Sequence, residues 1–197
     1  MDSFITKKFR YLFKNIKTID ELIVFDQEKD IKSNLSRKFL NFFTELGSSI
    51  PILVIIFILY FFQGKLVLWA ILPIYLFQLI TVEIIKKLFN RSRPKTHKKT
   101  SLLGFNTSSG SFPSGHTSNI FCLAFLLTNL YQTNIVITTL LYAIAANIGL
   151  SRILLGKHYL VDVFAGAIFG ISLAVMGVYI WILLFKYYPE LFPNLFF

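Results

Sequence analysis

Residues Leu160–Phe185 read LVDVFAGAIFGISLAVMGVYIWILLF. After Asp162 near its start, this stretch carries no charge. A helix rises 1.5 Å per residue, so crossing a hydrocarbon core of about 30 Å takes about 20 apolar residues. This stretch is long enough to span a bilayer. Working outward, Leu66–Ile85 is also long enough to cross, and Ile135–Leu150 is a further spanning segment. Ile50–Phe62 is shorter and extends back through Ser48 and Ser49, and Thr117–Tyr131 is lengthened by a start at Ser114. The expected fold is all-α, a polytopic transmembrane helical bundle of about five spans. Gln63-Gly64-Lys65 and Gln132-Thr133-Asn134 are short enough to make their flanking helices antiparallel neighbours. Residues 88–113 form the one long polar loop, of the kind that carries function.

Composition agrees. The chain is 55% hydrophobic and only 15% charged, with 22 Phe and a mean hydropathy of +0.64. Soluble domains carry about 25% charged residues. The net charge of +10 points to anionic headgroups and phosphates. Nucleic acid is excluded as a partner, because the aromatics lie in apolar runs rather than between Lys and Arg. The lone Cys122 lies in an apolar run and fits a packing role.

Three regions are expected. Residues 1–47 mix charges with apolar residues at helical spacing: Phe9, Leu12, Phe13, Ile16 and Ile19, then Leu35, Phe39, Phe42, Phe43 and Leu46. This suits N-terminal amphipathic interfacial helices, or helices packed on the bundle. It lacks the basic start, apolar stretch and small-residue cleavage site of a signal peptide. Residues 48–187 form the transmembrane domain, and 188–197 a C-terminal tail.

Three polar blocks interrupt the apolar chain. Lys86 is followed seven residues later by Arg93-Pro94, then come Pro113-Ser114-Gly115-His116 and Ser151-Arg152 with His158 and Asp162. The second span ends at the first block, the third begins at the second, and the fourth and fifth flank the last. All three blocks therefore meet at one membrane–water boundary.

Their chemistry suits phosphoryl transfer, which needs positioning and charge stabilisation more than covalent assistance. Lys86, Arg93 and Arg152 supply fixed cations, and Arg adds bidentate bonds to phosphate oxygens. Lys86 and Arg93 would share a face if the helix ran that far. Ser114-Gly115 opens a helix whose first N–H groups attract anions. His158 and Asp162, four apart, can hydrogen-bond on one helix face, fixing the imidazole tautomer. Glu83 can pair with Lys86 or Lys87. Lys87, Arg91, Lys95, Lys98 and Lys99 read as interfacial anchors, and His97 as solvated. Asp162 is the only carboxylate in the blocks, so no metal and no other cofactor is expected.

These blocks resemble the type 2 phosphatidic acid phosphatase superfamily, the lipid phosphate phosphatases. Its pattern of K-x6-R-P, P-S-G-H and S-R-x5-H-x3-D is matched at every fixed position between Lys86 and Asp162. The resemblance implies a metal-independent lipid phosphatase. His158 would attack phosphorus, Asp162 would orient His158, and His116 would protonate the leaving group and then activate water. Lys86, Arg93, Ser114, Gly115 and Arg152 would hold the phosphate. Candidate substrates are isoprenoid diphosphates, phosphatidic acid and phosphatidylglycerol phosphate. Isoprenoid diphosphates rank first because the chain is small and shows no extra domain.

A vanadate-dependent haloperoxidase has a similar site, but those enzymes lack apolar spans. An inactive lipid-binding membrane protein would show a decayed motif position, and none is decayed. The family's common form has six spans, whereas residues 1–47 here stand in place of a first one. All but Lys65 and Lys186 of the 20 Lys and Arg then fall on the side of the motifs. The positive-inside rule puts that side in the cytoplasm, while many bacterial relatives work on the outer face. Oligomeric state is not encoded in any motif.

Overall fold

A computed structural model of the chain describes residues 34–65, 67–94 and 110–191. The proposed helix through Phe9–Ile19, the basic residues Lys95, Lys98 and Lys99, His97 and residues 192–197 of the tail lie outside that range.

Six α-helices make up the described residues: α1 Asn34–Glu45, α2 Ser49–Gln63, α3 Leu72–Phe89, α4 Gly115–Leu130, α5 Ile135–Leu154 and α6 Leu160–Tyr187. A π-helical turn, Val67–Ile71, leads into α3, and Pro189–Leu191 forms a closing 3-10 turn. Among these residues there is no strand. Among the described residues each of the five expected spans is helical over nearly all its length. Three are long and apolar enough to cross a membrane: Val67–Phe89, Ile135–Leu154 and Leu160–Tyr187. Lys38–Glu45 and Ser49–Phe62 pass only as a pair bent by 51°.

The shortness of α4 has a packing reason. At 16 residues it is about 24 Å long. Its side chains from Thr117 to Ala124 are mostly buried, so protein rather than lipid covers it. Helix α6 packs on α4 most extensively, and α3 and α5 flank the pair. Glycines permit this closeness. A Cβ on Gly166 would lie 2.6 Å from the Ser114 carbonyl oxygen, and one on Gly170 would meet the Ser118 carbonyl. Small residues let helix backbones approach where lipid offers no hydrophobic driving force between helices.

Ile52, Ile56, Ile71, Ile74, Tyr75, Leu123, Leu126, Ile148 and Ala174 form the core, with Cys122 fully buried among them. Phe57, Phe61, Phe62, Ile80, Ile135, Phe164, Ile168 and Tyr179 face outward. That outward apolar surface is what a lipid solvent requires. A polar thread crosses the interior: Gln78 Nε2 donates to Ser118 Oγ at 2.7 Å, and Asn119 Nδ2 donates to the Gly47 carbonyl at 3.3 Å.

Candidate active site

The three blocks meet at one end of the bundle. Helix α3 does not run as far as Arg93. Asn90 takes a left-handed conformation (φ 40°) and its N–H bonds the Lys86 carbonyl, ending the helix at Phe89. Asn tolerates that conformation better than most residues. Lys86 and Arg93 therefore do not share a helical face. The chain folds back instead, and Ser111 N–H donates to the Arg91 carbonyl at 2.8 Å.

Lys86 sits in the last turn of α3, with Glu83 at 3.5 Å, so the expected pairing is with Lys86. Its ammonium lies over the start of α4. A Cβ on Gly115 would be 2.7 Å from Lys86 Nζ. Only a residue without a side chain lets the ammonium reach that helix start. Ser114 is the N-cap of α4 and is fully buried. Its own N–H is used by the Asp162 carbonyl at 2.9 Å, and its Oγ accepts from Thr117 Oγ1 at 2.9 Å. The next N–H groups, of Gly115, His116 and Thr117, have no partner within the helix, as at any helix start.

Arg152 closes α5, and Gly156 at φ 58° turns the chain back. The Arg152 carbonyl then accepts from Lys157 N–H at 3.0 Å and His158 N–H at 3.3 Å. Glycine is the residue that adopts this helix-ending conformation without strain. The Ser-Arg and His of the third block are thus tied through one carbonyl.

His158 precedes α6, whose N-cap is Tyr159, so His158 and Asp162 do not lie on one helix. His158 Nδ1 is 3.6 Å from Asp162 Oδ2, too far for a hydrogen bond. Asp162 is engaged elsewhere. Its Oδ2 accepts from Tyr159 N–H at 3.0 Å, and its Oδ1 pairs with Arg91 Nη1 at 2.6 Å. The cause is helical position: Asp162 is third in α6 and caps it. His158 Nδ1 is left buried with no hydrogen-bond partner among the described residues. Burial holds His158 well below the ordinary imidazole value. Arg152, Arg93 and Lys86 push the same way, and the Ser111 carbonyl opposes them. The imidazole is therefore neutral, the form that can act as a nucleophile.

Sequence reasoning missed several residues here. Arg91 is no interfacial anchor: it pairs with the fully buried Asp162 and its guanidinium stacks 4.3 Å above the Tyr159 ring. In a run of basic residues nothing marked it out. Lys157 is 4% exposed and donates to Asn41 Oδ1 at 2.9 Å. Its ammonium is pushed down to about 8, first by burial and then by Arg152. Its place beside His158 was the one available signal. Arg93 is also lowered, by burial, with Asp162 opposing; a guanidinium stays charged regardless. Glu45 lies 3.8 Å from His116 Nε2, and no local pattern connected it to the motifs.

Among the described residues, no group of three His, Cys, Asp or Glu could hold a metal ion. Five cations, Lys86, Arg91, Arg93, Arg152 and Lys157, face three carboxylates, Glu45, Glu83 and Asp162. Among the described residues the balance is positive, which suits an anionic phosphate group.

Comparison with known proteins agrees with this geometry. The PAP2 superfamily model matches residues 67–192. A probable lipid phosphate phosphatase beta of Arabidopsis thaliana is 30% identical over 52% of this chain and 60% of its own length. A lipid A 1-phosphatase of Rhizobium etli is 30% identical over 72% of this chain and 71% of its own. The chain thus spans less than two thirds of the plant relative and more than two thirds of the bacterial one. The crystal structure of a transmembrane PAP2 type phosphatidylglycerolphosphate phosphatase from Bacillus subtilis superposes with a TM-score of 0.67 at 25% identity. It covers 84% of this chain and 86% of that one. With its motifs gathered at one end of an apolar helical bundle, the chain belongs to the PAP2 superfamily of phosphatases, as an integral membrane member.

Proposed function

We propose that this protein removes a terminal phosphate from a membrane lipid through a phosphohistidine on His158. One observation carries the reading. His158, neutral and buried, lies within the field of Lys86, Arg93 and Arg152. A second imidazole, His116, is close enough to feel its charge, with no hydrogen bond to its Nε2 among the described residues. In the first step a bond forms between His158 nitrogen and phosphorus. The bond from phosphorus to the lipid oxygen breaks, and His116 gives that oxygen a proton. In the second step water attacks phosphorus, its proton passes to His116, and the phosphorus–nitrogen bond breaks. Lys86, Arg93, Arg152 and the N–H groups that follow the Ser114 cap, at Gly115 and His116, hold the phosphoryl oxygens as charge redistributes. Asp162 steadies the turn that carries His158 by holding the Tyr159 N–H, and its carboxylate 3.6 Å from His158 Nδ1 favours the charge that the imidazole gains on phosphorylation.

The favoured substrate is an isoprenoid diphosphate. Lys157 supports this, because a fourth cation beside the three motif cations suits a second phosphate. Phosphatidic acid and phosphatidylglycerol phosphate are the alternatives, and the names of the relatives favour monoesters. The favoured orientation has the site at the cytoplasmic face, on the charge asymmetry of the loops.

Single-turnover labelling with a radiolabelled lipid phosphate tests the mechanism. His158→Ala abolishes label on the protein, whereas His116→Ala slows turnover and lets label accumulate. Normal labelling of the His158 variant refutes the assignment. Phosphate release across isoprenoid, glycerolipid and sphingoid phosphates ranks the substrates. A cysteine placed in the 95–110 loop, labelled only from outside, overturns the orientation.

A further inference from the structure

The last turn of α1 reaches into the site, although it lies outside the three motifs and outside the matched residues 67–192. Three of its side chains each meet a different site group. Asn41 Oδ1 accepts from Lys157 Nζ at 2.9 Å, and Thr44 Oγ1 accepts from Arg152 Nη1 at 3.3 Å. Glu45 Oε2 stands 3.8 Å from His116 Nε2.

The segment is firmly seated. Thr44 is fully buried. A Cβ on Gly47 would lie 3.0 Å from the His116 carbonyl oxygen and 3.3 Å from His116 Cβ. The Gly47 carbonyl is held by Asn119, one turn along α4 from His116. Meanwhile His116 Nε2 is buried and has no hydrogen-bond partner among the described residues.

His116 has a demanding task under the phosphatase reading, on which this inference rests. It must carry a proton to the leaving oxygen, yet it stands near the Arg152 guanidinium and the His158 imidazole. A positive neighbour and burial both disfavour a second cation. Glu45, from α1, is the carboxylate facing it. An opposite charge within about 4–6 Å favours the charged form of a titrating group. We propose that Glu45 is a positioning residue for His116: it holds the imidazole toward the leaving oxygen and offsets Arg152, so that the proton is in place when the lipid–oxygen bond breaks.

The test exploits leaving-group chemistry. A lipid alkoxide must be protonated as it departs, whereas nitrophenolate leaves without a proton. Rapid-quench measurement of phosphoryl transfer to His158 uses the full-length protein in detergent, with phosphatidic acid and p-nitrophenyl phosphate as substrates. Glu45→Gln is expected to slow transfer from the lipid about tenfold or more, part of the 10²–10⁴ that general acids contribute. Transfer from p-nitrophenyl phosphate should change less than about threefold on the same reasoning. Glu45→Asp restores most of the lipid rate, and the optimum for the lipid in Glu45→Gln moves to lower pH.

Thr44→Val, which loses the Arg152 contact alone, slows both substrates by the same factor. Equal slowing of both substrates in Glu45→Gln, or no slowing of the lipid, overturns the proposal while leaving the phosphatase reading intact. If Glu45→Gln fails to fold, the same ratio is read on Glu45→Asp, where an equal effect on both substrates again overturns it. A wild-type protein that transfers no label from either substrate or from an isoprenoid diphosphate overturns the phosphatase reading, and this proposal with it.

Discussion

Replacing Arg91 with alanine separates the structure's account of this residue from the sequence's. As a surface anchor, Arg91 would change stability by no more than about 0.5 kcal/mol. As the partner of a fully buried carboxylate at 2.6 Å it should matter far more. With an effective dielectric near 20, the attraction at that distance is roughly 6 kcal/mol. Desolvation cancels part of it, and removing one member of a buried pair costs about 3–5 kcal/mol. For a chain of this size that lowers the melting temperature by roughly 6–20 °C, at about 2–4 °C per kcal/mol. The assay is built into the protein: Cys122 is the only cysteine and is fully buried, so a thiol-reactive dye reports unfolding. Activity should fall with stability, because Asp162 also caps the helix that follows His158. A shift of about 1 Å in a reacting group can cost about 10²-fold in rate. Arg91→Lys keeps the charge but loses the planar guanidinium that stacks on Tyr159, and should fall between. Melting of Arg91→Ala within about 2 °C of wild type, with activity unchanged within about twofold, would refute the reasoning.

Other consequences follow from the same geometry. Gly115→Ala should fold normally, because the new Cβ meets the flexible end of Lys86. Loss of a charged contact worth about 1.5–3 kcal/mol should raise KM for the lipid about 10–150-fold. Gly170→Ala meets the backbone of α4 instead, and overpacking of about 1–3 kcal/mol should lower the melting temperature. Because the Lys157 ammonium is pushed down to about 8, diphosphate KM should rise above that pH in wild type and not in Lys157→Arg. Its linkage to stability has a definite sign. The folded protein gives up this proton before the unfolded chain does, so stability rises with pH between about 8 and 10.5, and dye-reported melting across that window checks it. His158 should show no NMR titration near the usual imidazole value of about 6.5, since burial and three cations hold it neutral.

The sequence by itself determined the helical class, the place of each apolar helix and the identity of the motif residues. Those are local properties. Hydrophobic run length sets where a helix can face lipid, and the residue types of the motif supply the chemistry wherever they meet. The pairing of Glu83 with Lys86 was legible for the same reason, since helical spacing alone brings them together. Tertiary structure decided the rest. Asn90 ended α3 before Arg93, so the two cations converge through a folded-back loop rather than along a helix. Asp162 was claimed by Tyr159 N–H and Arg91, because its third position in α6 makes it a cap before it is a partner for His158. Arg91 could not be told from its basic neighbours until Asp162 stood opposite it, 71 residues away in sequence. Asn41, Thr44 and Glu45 belong to a helix that only packing brings to Lys157, Arg152 and His116. Residue type and spacing fix what a segment can form, but the electrostatic partner of a buried charge depends on contacts between distant segments, and those exist only once the chain has folded.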